Sequence, residues 1–380
     1  MKLLAGVFVG IILGLMLGRG PIQIILTVKE VLGQFIFFCV PLVIIGFIAP
    51  AITNLKSNAS KMLLVTLLIA YLSSVGAAAL STTGGYAIIP HLNIQNTAQG
   101  LRKLPEVLFK LDIPPVMSVI SALVLSIVLG LTAVWTKSEH VDVLLKEFNN
   151  MILQVVEKMI VPILPIFIAT TFAGLAYEGS ITRQLPVFLK VIVIVIVGQF
   201  IWMAVLYGIA GLISKKNPAE VFKHYVPAYL TAVGTMSSAA TMPVALKCAR
   251  KSAVLDDEIV DFTIPICSTI HLCGSVLTET FFCMTISQIL YGQLPTLGTM
   301  LLFIALLGIF AVGAPGVPGG TVMASLGIVT SVLGFDTSGV ALLISIFALQ
   351  DSFGTACNIT GDGAIALMLM GIFKREKVSG

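Results

Sequence analysis

The sequence QDSFGTACNITGD, residues 350–362, places two carboxylates inside a long apolar segment, residues 337–373. Asp351 and Asp362 are separated by about three helical turns and therefore lie on one face of a helix. Ionisable side chains inside a membrane-length segment are costly, and they mark functional sites by default. Two structural carboxylates held by neighbouring hydroxyl groups are the simpler alternative.

The residues between the two aspartates supply further oxygen atoms. Thr355 and Asn358 lie between them, and Gly361 immediately precedes the second aspartate. Hard cations prefer oxygen ligands, and a buried carboxylate also suits an ammonium group. The stretch therefore predicts a site for a monovalent cation and an amine.

The composition of the chain around this stretch predicts a membrane protein. Of 380 residues, 57% are hydrophobic and 11% are charged, and the mean hydropathy is +1.05. Soluble domains carry roughly 25% charged residues. The long apolar runs favour helices over barrel strands, which alternate every second residue. Neither a basic stripe for nucleic acid nor a nucleophile–base pair or metal cluster for an enzyme is present, so neither function is predicted.

The segments before and after residue 214 differ. Six apolar runs precede it, and the four segments that follow it are broken by Gly, Pro, Ser and Thr. The runs are 3–18, 31–53, 62–82, 114–135, 149–177 and 187–213; the broken segments are 219–250, 258–290, 296–335 and 337–373; the breaks are 235–243, 267–275, 313–320 and 358–363. Broken segments at membrane depth indicate a cavity and a transporter binding site, and kinks in a passive bundle are the alternative.

The predicted fold is an all-α integral membrane protein with eight transmembrane helices and two re-entrant helical hairpins, at 219–250 and 296–335. With both termini in the cytoplasm, 14 lysines and arginines lie inside and 7 lie outside. The positive-inside rule supports this orientation. We therefore expect a multi-pass protein of the cell (inner) membrane, in contact with lipid.

Three of the breaks contain candidate ligands. The break at 235–243 has Ser237 and Ser238 before a helix N-terminus, which attracts a carboxylate, although small residues also mediate plain helix packing. The glycines and prolines of 313–320 suit a hinged gate or a static loop. His271 lies in the break at 267–275 and can relay a proton or act as a structural donor.

These four segments, in order, resemble the dicarboxylate/amino-acid:cation symporter family, most strongly from 225 to 370. The resemblance implies an inverted-repeat, elevator-type transporter that assembles as a homotrimer. It also implies a division of the chain into scaffold spans one and two (1–60), transport-domain span three (61–83), an outer loop (84–113), scaffold spans four and five (114–180), and a transport-domain core of span six, hairpin one, span seven, hairpin two and span eight (181–380).

The resemblance also implies roles for individual residues. Asp351 matches the aspartate that holds the substrate's amino group, and Asp362 matches a sodium-ligating aspartate. The implied substrate-binding residues are Ser237, Ser238, Ser275, Val317, Gly319, Asp351, Thr355 and Asn358. The implied cation ligands are Cys267, His271, Asn358 and Asp362.

Departures from the family pattern bear on the substrate and the ion. Cys273 replaces a cation-binding aspartate, and Gly354 and Met236 stand where the family has arginines. The sequence thus predicts a symporter for a small neutral amino acid such as serine, threonine or alanine, coupled to Na⁺. A dicarboxylate or acidic amino acid is the alternative substrate, and H⁺, with His271 as its candidate site, is the alternative ion. A channel, a receptor-like membrane protein or an uncoupled family member is a different class that stays open.

Overall fold

The computed structural model describes residues 2–57, 61–92, 94, 102–314 and 316–376, and these form helices joined by turns and short extended segments. The helices are α1 Lys2–Met16, α2 Arg19–Ser57, α3 Lys61–Ile88, α4 Val119–Thr136, α5 Glu139–Val155, α6 Val161–Glu178, α7 Ile181–Ser214, α8 Ala219–Phe222, α9 Val226–Thr235, α10 Ser238–Ala249, α11 Asp257–Ile270, α12 Cys273–Tyr291, α13 Leu297–Gly313, α14 Gly320–Ser331 and α15 Thr337–Glu376.

Within the described residues, six helical segments are long and apolar enough to cross a membrane, judged by length and composition. They belong to α2, α3, the continuous α5–α6 rod, α7, α11–α12 and α15. The other two of the eight predicted spans coincide with the shorter apolar helices α1 and α4. The described residues therefore have an all-helical architecture of the kind found in membranes, and the count of eight spans stays a prediction.

Two pairs of short helices form the hairpins expected from the breaks. Helices α9 and α10 have 10 and 12 residues, so each is about 15–18 Å long, roughly half the apolar thickness of a bilayer. They meet at Met236 and Ser237. Helices α13 and α14 meet through a tip at 314–319, of which Pro315 lies outside the described residues. We call these tips hairpin tip one (236–237) and hairpin tip two (314–319).

The predicted break at 267–275 is present, and the one at 358–363 is wrong. Helix α11 ends before His271, and α12 begins at Cys273. In contrast, α15 continues without interruption through 358–363. The glycines there allow close packing instead of breaking the helix. A Cβ at Gly361 would lie 2.8 Å from His271 Cε1, and one at Gly363 would lie 2.7 Å from the Tyr207 hydroxyl oxygen.

Two predicted boundaries also need correction. Helix α3 extends to Ile88, so the outer loop does not begin at 84. The helical rod predicted at 149–177 begins at Glu139, where the Ser138 side chain caps α5 by accepting from Val141 N–H. The first turns of α5 are amphipathic and charged, so an apolar run does not reveal them.

The helices fall into two groups by contact. Helix α2 packs against α4, α5 and α6, and α1 packs against α6. Helix α15 packs against α7, α9, α11 and α12, while α3 packs against α12 and α13. The division of the chain into a scaffold and a transport-domain core stays a prediction, as does the question of which group moves.

Candidate substrate and cation site

Helix α15 positions four of the predicted site residues along one buried face. Asp351, Thr355, Asn358 and Asp362 follow one another at steps of four, three and four residues, the spacing of neighbours on a helix surface. All four are buried, with relative exposures of 4% or less. The face predicted from the sequence is thus enclosed by the surrounding helices of the second group.

Asp351 lies beneath hairpin tip two. Its Oδ2 accepts a hydrogen bond of 2.7 Å from the backbone N–H of Gly319. Gly319 has a φ of +72°, a conformation that only glycine adopts without strain. Among the described residues, no lysine, arginine or histidine pairs with Asp351. The carboxylate is therefore buried without a cationic partner.

The two hairpin tips are in direct contact. Ser237 Oγ donates a 2.8 Å hydrogen bond to the carbonyl of Gly316 and also accepts from Ala240 N–H, which caps α10. Ser238 is buried at the start of α10, and Val317 is half-buried in hairpin tip two. This contact joins both tips above the α15 face.

A cavity of about 560 Å³ borders the tips on the side of α2 and α5. Its lining includes Ala239, Gly316 and Val317, but neither Asp351 nor Asn358 belongs to it. Asp351 is 4% exposed and bonded to Gly319 of hairpin tip two, so its carboxylate is not open to this cavity.

Asn358 fixes the start of α12. Its Oδ1 accepts from the backbone N–H groups of Gly274, at 2.7 Å, and Ser275, at 3.2 Å, and its Nδ2 donates to Ser275 Oγ at 2.9 Å. A Cβ at Gly274 would lie 2.5 Å from the Cβ of Cys357, so glycine is required for this approach. The structure therefore brings Ser275 and Asn358 together as expected.

Asp362 contacts the break between α11 and α12. Its Oδ1 lies 2.9 Å from His271 Nδ1, and His271 Nε2 lies 2.9 Å from the Ser73 hydroxyl of α3. The side chains of Asp362 and His271 are fully buried. Ser73 was not among the predicted site residues, because nothing in an apolar, serine-containing span marks one serine as a partner of a histidine 198 residues away.

The sodium site expected from Cys267, His271, Asn358 and Asp362 stays a prediction, and the side-chain oxygen atoms of this set fit a cation poorly in this arrangement. The Cys267 carbonyl accepts from His271 N–H, and Asn358 Oδ1 already accepts two bonds. Asp362 Oδ1 is taken by the imidazole, and only Asp362 Oδ2 lacks a hydrogen-bond partner. A hard cation needs several oxygen ligands at once.

A buried amide network next to this site was also missed. Gln199 of α7 donates to Thr278 Oγ at 2.9 Å, and Thr278 donates to Gln350 Oε1 at 2.8 Å. The Gln350 Nε2 is buried without a hydrogen-bond partner. An amide in the middle of the apolar segment 187–213 is the sequence signal that points to Gln199.

Helices of membrane length, a buried acidic helix and two pairs of short helices define the class as a multi-pass membrane protein. The model of the sodium:dicarboxylate symporter family matches residues 1–372, and the chain belongs to this family. The family and the relatives below are transporters, not enzymes.

The chain is similar to named amino acid transporters of animals, two of which illustrate the extent of the match. Excitatory amino acid transporter 2 of Mus musculus is 29% identical over 241 residues, which cover 61% of this chain and 41% of the relative. Excitatory amino acid transporter 1 of Homo sapiens is 28% identical over 226 residues, which cover 57% of this chain and 41% of the relative. The chain therefore spans less than half the length of these curated relatives.

Proposed function

We propose that this protein is a secondary transporter that carries a small neutral amino acid across the membrane together with a cation. The observation that carries the proposal is Asp351, a buried carboxylate whose described hydrogen-bond partner is the backbone N–H of Gly319. An uncompensated buried charge is costly. The α-ammonium group of an amino acid supplies the missing positive charge.

The substrate carboxylate is assigned to hairpin tip one. Helix α10 begins at Ser238, and its first N–H groups attract an anion through their free hydrogens and the helix dipole. The hydroxyls of Ser237 and Ser238 add donors there. Since Ser237 donates to Gly316 when the tips are joined, binding a carboxylate exchanges one hydrogen bond for another.

The preference for an uncharged side chain follows from the surroundings of Gly354. Gly354 lies three residues after Asp351, and a Cβ there would lie 3.3 Å from Ser275 Oγ. Where the family resemblance implies arginine, this chain has only a hydrogen atom. A second substrate carboxylate would therefore enter without a partner, which costs several kcal/mol.

An acidic substrate is the second candidate. The family description names dicarboxylates, and the relatives are excitatory amino acid transporters. The same family description supports Na⁺ as the coupling ion. Assembly as a homotrimer, the cytoplasmic position of both termini and the moving transport domain remain part of the proposal.

Competition in proteoliposomes tests the substrate. Purified protein is reconstituted, and uptake of radiolabelled serine is driven by an inward Na⁺ gradient. We expect excess alanine or threonine to abolish the signal, and excess aspartate or succinate to leave most of it. Efficient uptake of succinate or aspartate by the unmodified protein would overturn the neutral assignment in favour of the acidic one.

A further inference from the structure

We propose that His271 takes the place of a cation at Asp362: its ring and N–H occupy the carboxylate oxygen that a bound ion would otherwise contact, and so remove Na⁺ from this position. The proposal concerns the cation specificity of the transporter proposed above. It assigns the coupling ion of this chain to ligands other than Asp362.

The imidazole is held between two helices at both of its nitrogen atoms. A carboxylate only accepts hydrogen bonds, so Nδ1 carries a hydrogen and donates it to Asp362 Oδ1 over 2.9 Å. The opposite nitrogen, Nε2, lies 2.9 Å from the Ser73 hydroxyl, which accommodates either a donor or an acceptor. The ring thus spans the gap between α15 and α3, with no room left for an ion on the line joining Asp362 and Ser73.

The backbone fixes the ring in this place. His271 stands in the gap between α11 and α12, and its N–H donates to the Cys267 carbonyl at 2.9 Å. On α15, Gly361 makes room for the ring, because a Cβ there would lie 2.8 Å from His271 Cε1. A partner that is covalently attached and preoriented loses little entropy on pairing, whereas a free ion must be captured from solution and dehydrated.

Charge balance supports the same assignment. Asp362 is fully buried, and among the described ion pairs its partner is His271. Loss of one member of a buried pair is strongly destabilising because the other charge stays uncompensated. Removal of the imidazole should therefore create a demand for an external cation at Asp362.

The test measures the thermal unfolding midpoint of the purified protein in detergent, without substrate, as NaCl replaces choline chloride at constant ionic strength. The variants are His271→Asn, Asp362→Asn and the double variant. Asparagine at 271 keeps a donor near the position of Nδ1 but removes the outer half of the ring. We expect the Na⁺-dependent rise of His271→Asn to exceed that of the unmodified protein by about 3–6 °C. The double variant should lose this gain.

Two results would overturn the proposal. In the first, NaCl raises the unfolding midpoint of His271→Asn no more than that of the unmodified protein. In the second, NaCl raises the midpoint of the unmodified protein, and this rise disappears in Asp362→Asn. The second comparison does not involve His271→Asn, so it decides the matter even where that variant does not fold. Because the measurement contains no amino acid, its result is independent of the substrate assignment, which the uptake competition tests separately.

Discussion

The two buried aspartates of α15 occupy the same face of the same helix, yet their partners differ. Asp351 accepts one backbone N–H from hairpin tip two. Asp362 pairs with the His271 side chain from the break in span seven. A buried carboxylate that the chain does not neutralise is suited to an external cationic group, and one that the chain neutralises has no such need.

The partners also differ in how they can move. Gly319 belongs to a six-residue tip between two short helices, and that tip is tied to hairpin tip one by the Ser237–Gly316 bond. His271 is tied on three sides, to Asp362, Ser73 and the Cys267 carbonyl. We therefore expect opening of hairpin tip two to expose Asp351 and to leave the Asp362 pair intact.

Asp351→Asn should produce the largest effect. It retains the size of the side chain and removes the charge that we assign to the substrate ammonium. Breaking a buried charge pair costs about 3–5 kcal/mol, so serine affinity should fall at least about a hundredfold. Equilibrium binding of labelled serine measures this. Asp257→Asn, at an exposed carboxylate on α11, is the control, and unchanged binding in Asp351→Asn would remove the ammonium assignment.

Gly361→Ala should act on the other aspartate. The new Cβ would lie 2.8 Å from His271 Cε1 and displace the ring from Asp362. Overpacking of this kind costs about 1–3 kcal/mol, so the thermal midpoint should fall by several degrees. Gly208→Ala is the matched control, because no atom lies within 4 Å of a Cβ built there. Equal midpoints for the two variants would show that the ring is not held tightly.

Ser237→Ala should loosen the contact between the hairpin tips. It removes the donor to Gly316 and the cap of α10, each worth about 1 kcal/mol. In a Val317→Cys background, labelling by an impermeant thiol reagent should become about fivefold faster, and substrate should slow it. All six native cysteines are buried. Thr231→Ala, which removes a hydroxyl from α9 away from the tip, is the control; substrate-independent labelling would indicate a static loop.

Gly354→Arg should produce the smallest effect of these four substitutions, because it adds a cation near Asp351 without removing a group. Aspartate should become a better competitor of serine uptake, by about tenfold for one partly compensated charge. Steric contact with Ser275 limits this gain in aspartate competition, because Ser275 Oγ would lie 3.3 Å from the new Cβ. Gly354→Gln controls for bulk. An equal gain in both variants would attribute the change to shape rather than charge.

The sequence by itself determined the membrane class, the positions of most spans, three of the four helix breaks and the acidic face of α15. These features are local. Hydropathy over about 20 residues, glycine and proline at a turn, and the period of a helix act between near neighbours in the chain. They hold whatever the segment later packs against.

Only the tertiary structure decided which partners the polar groups have. His271 meets Asp362 across 91 residues of sequence and Ser73 across 198 residues. Asn358 was predicted to serve substrate and ion, and its side chain is used to hold the start of α12. The fourth break is absent because the glycines of α15 meet packed side chains. Local patterns state that a buried polar group needs a partner, but the packing of distant helices selects that partner.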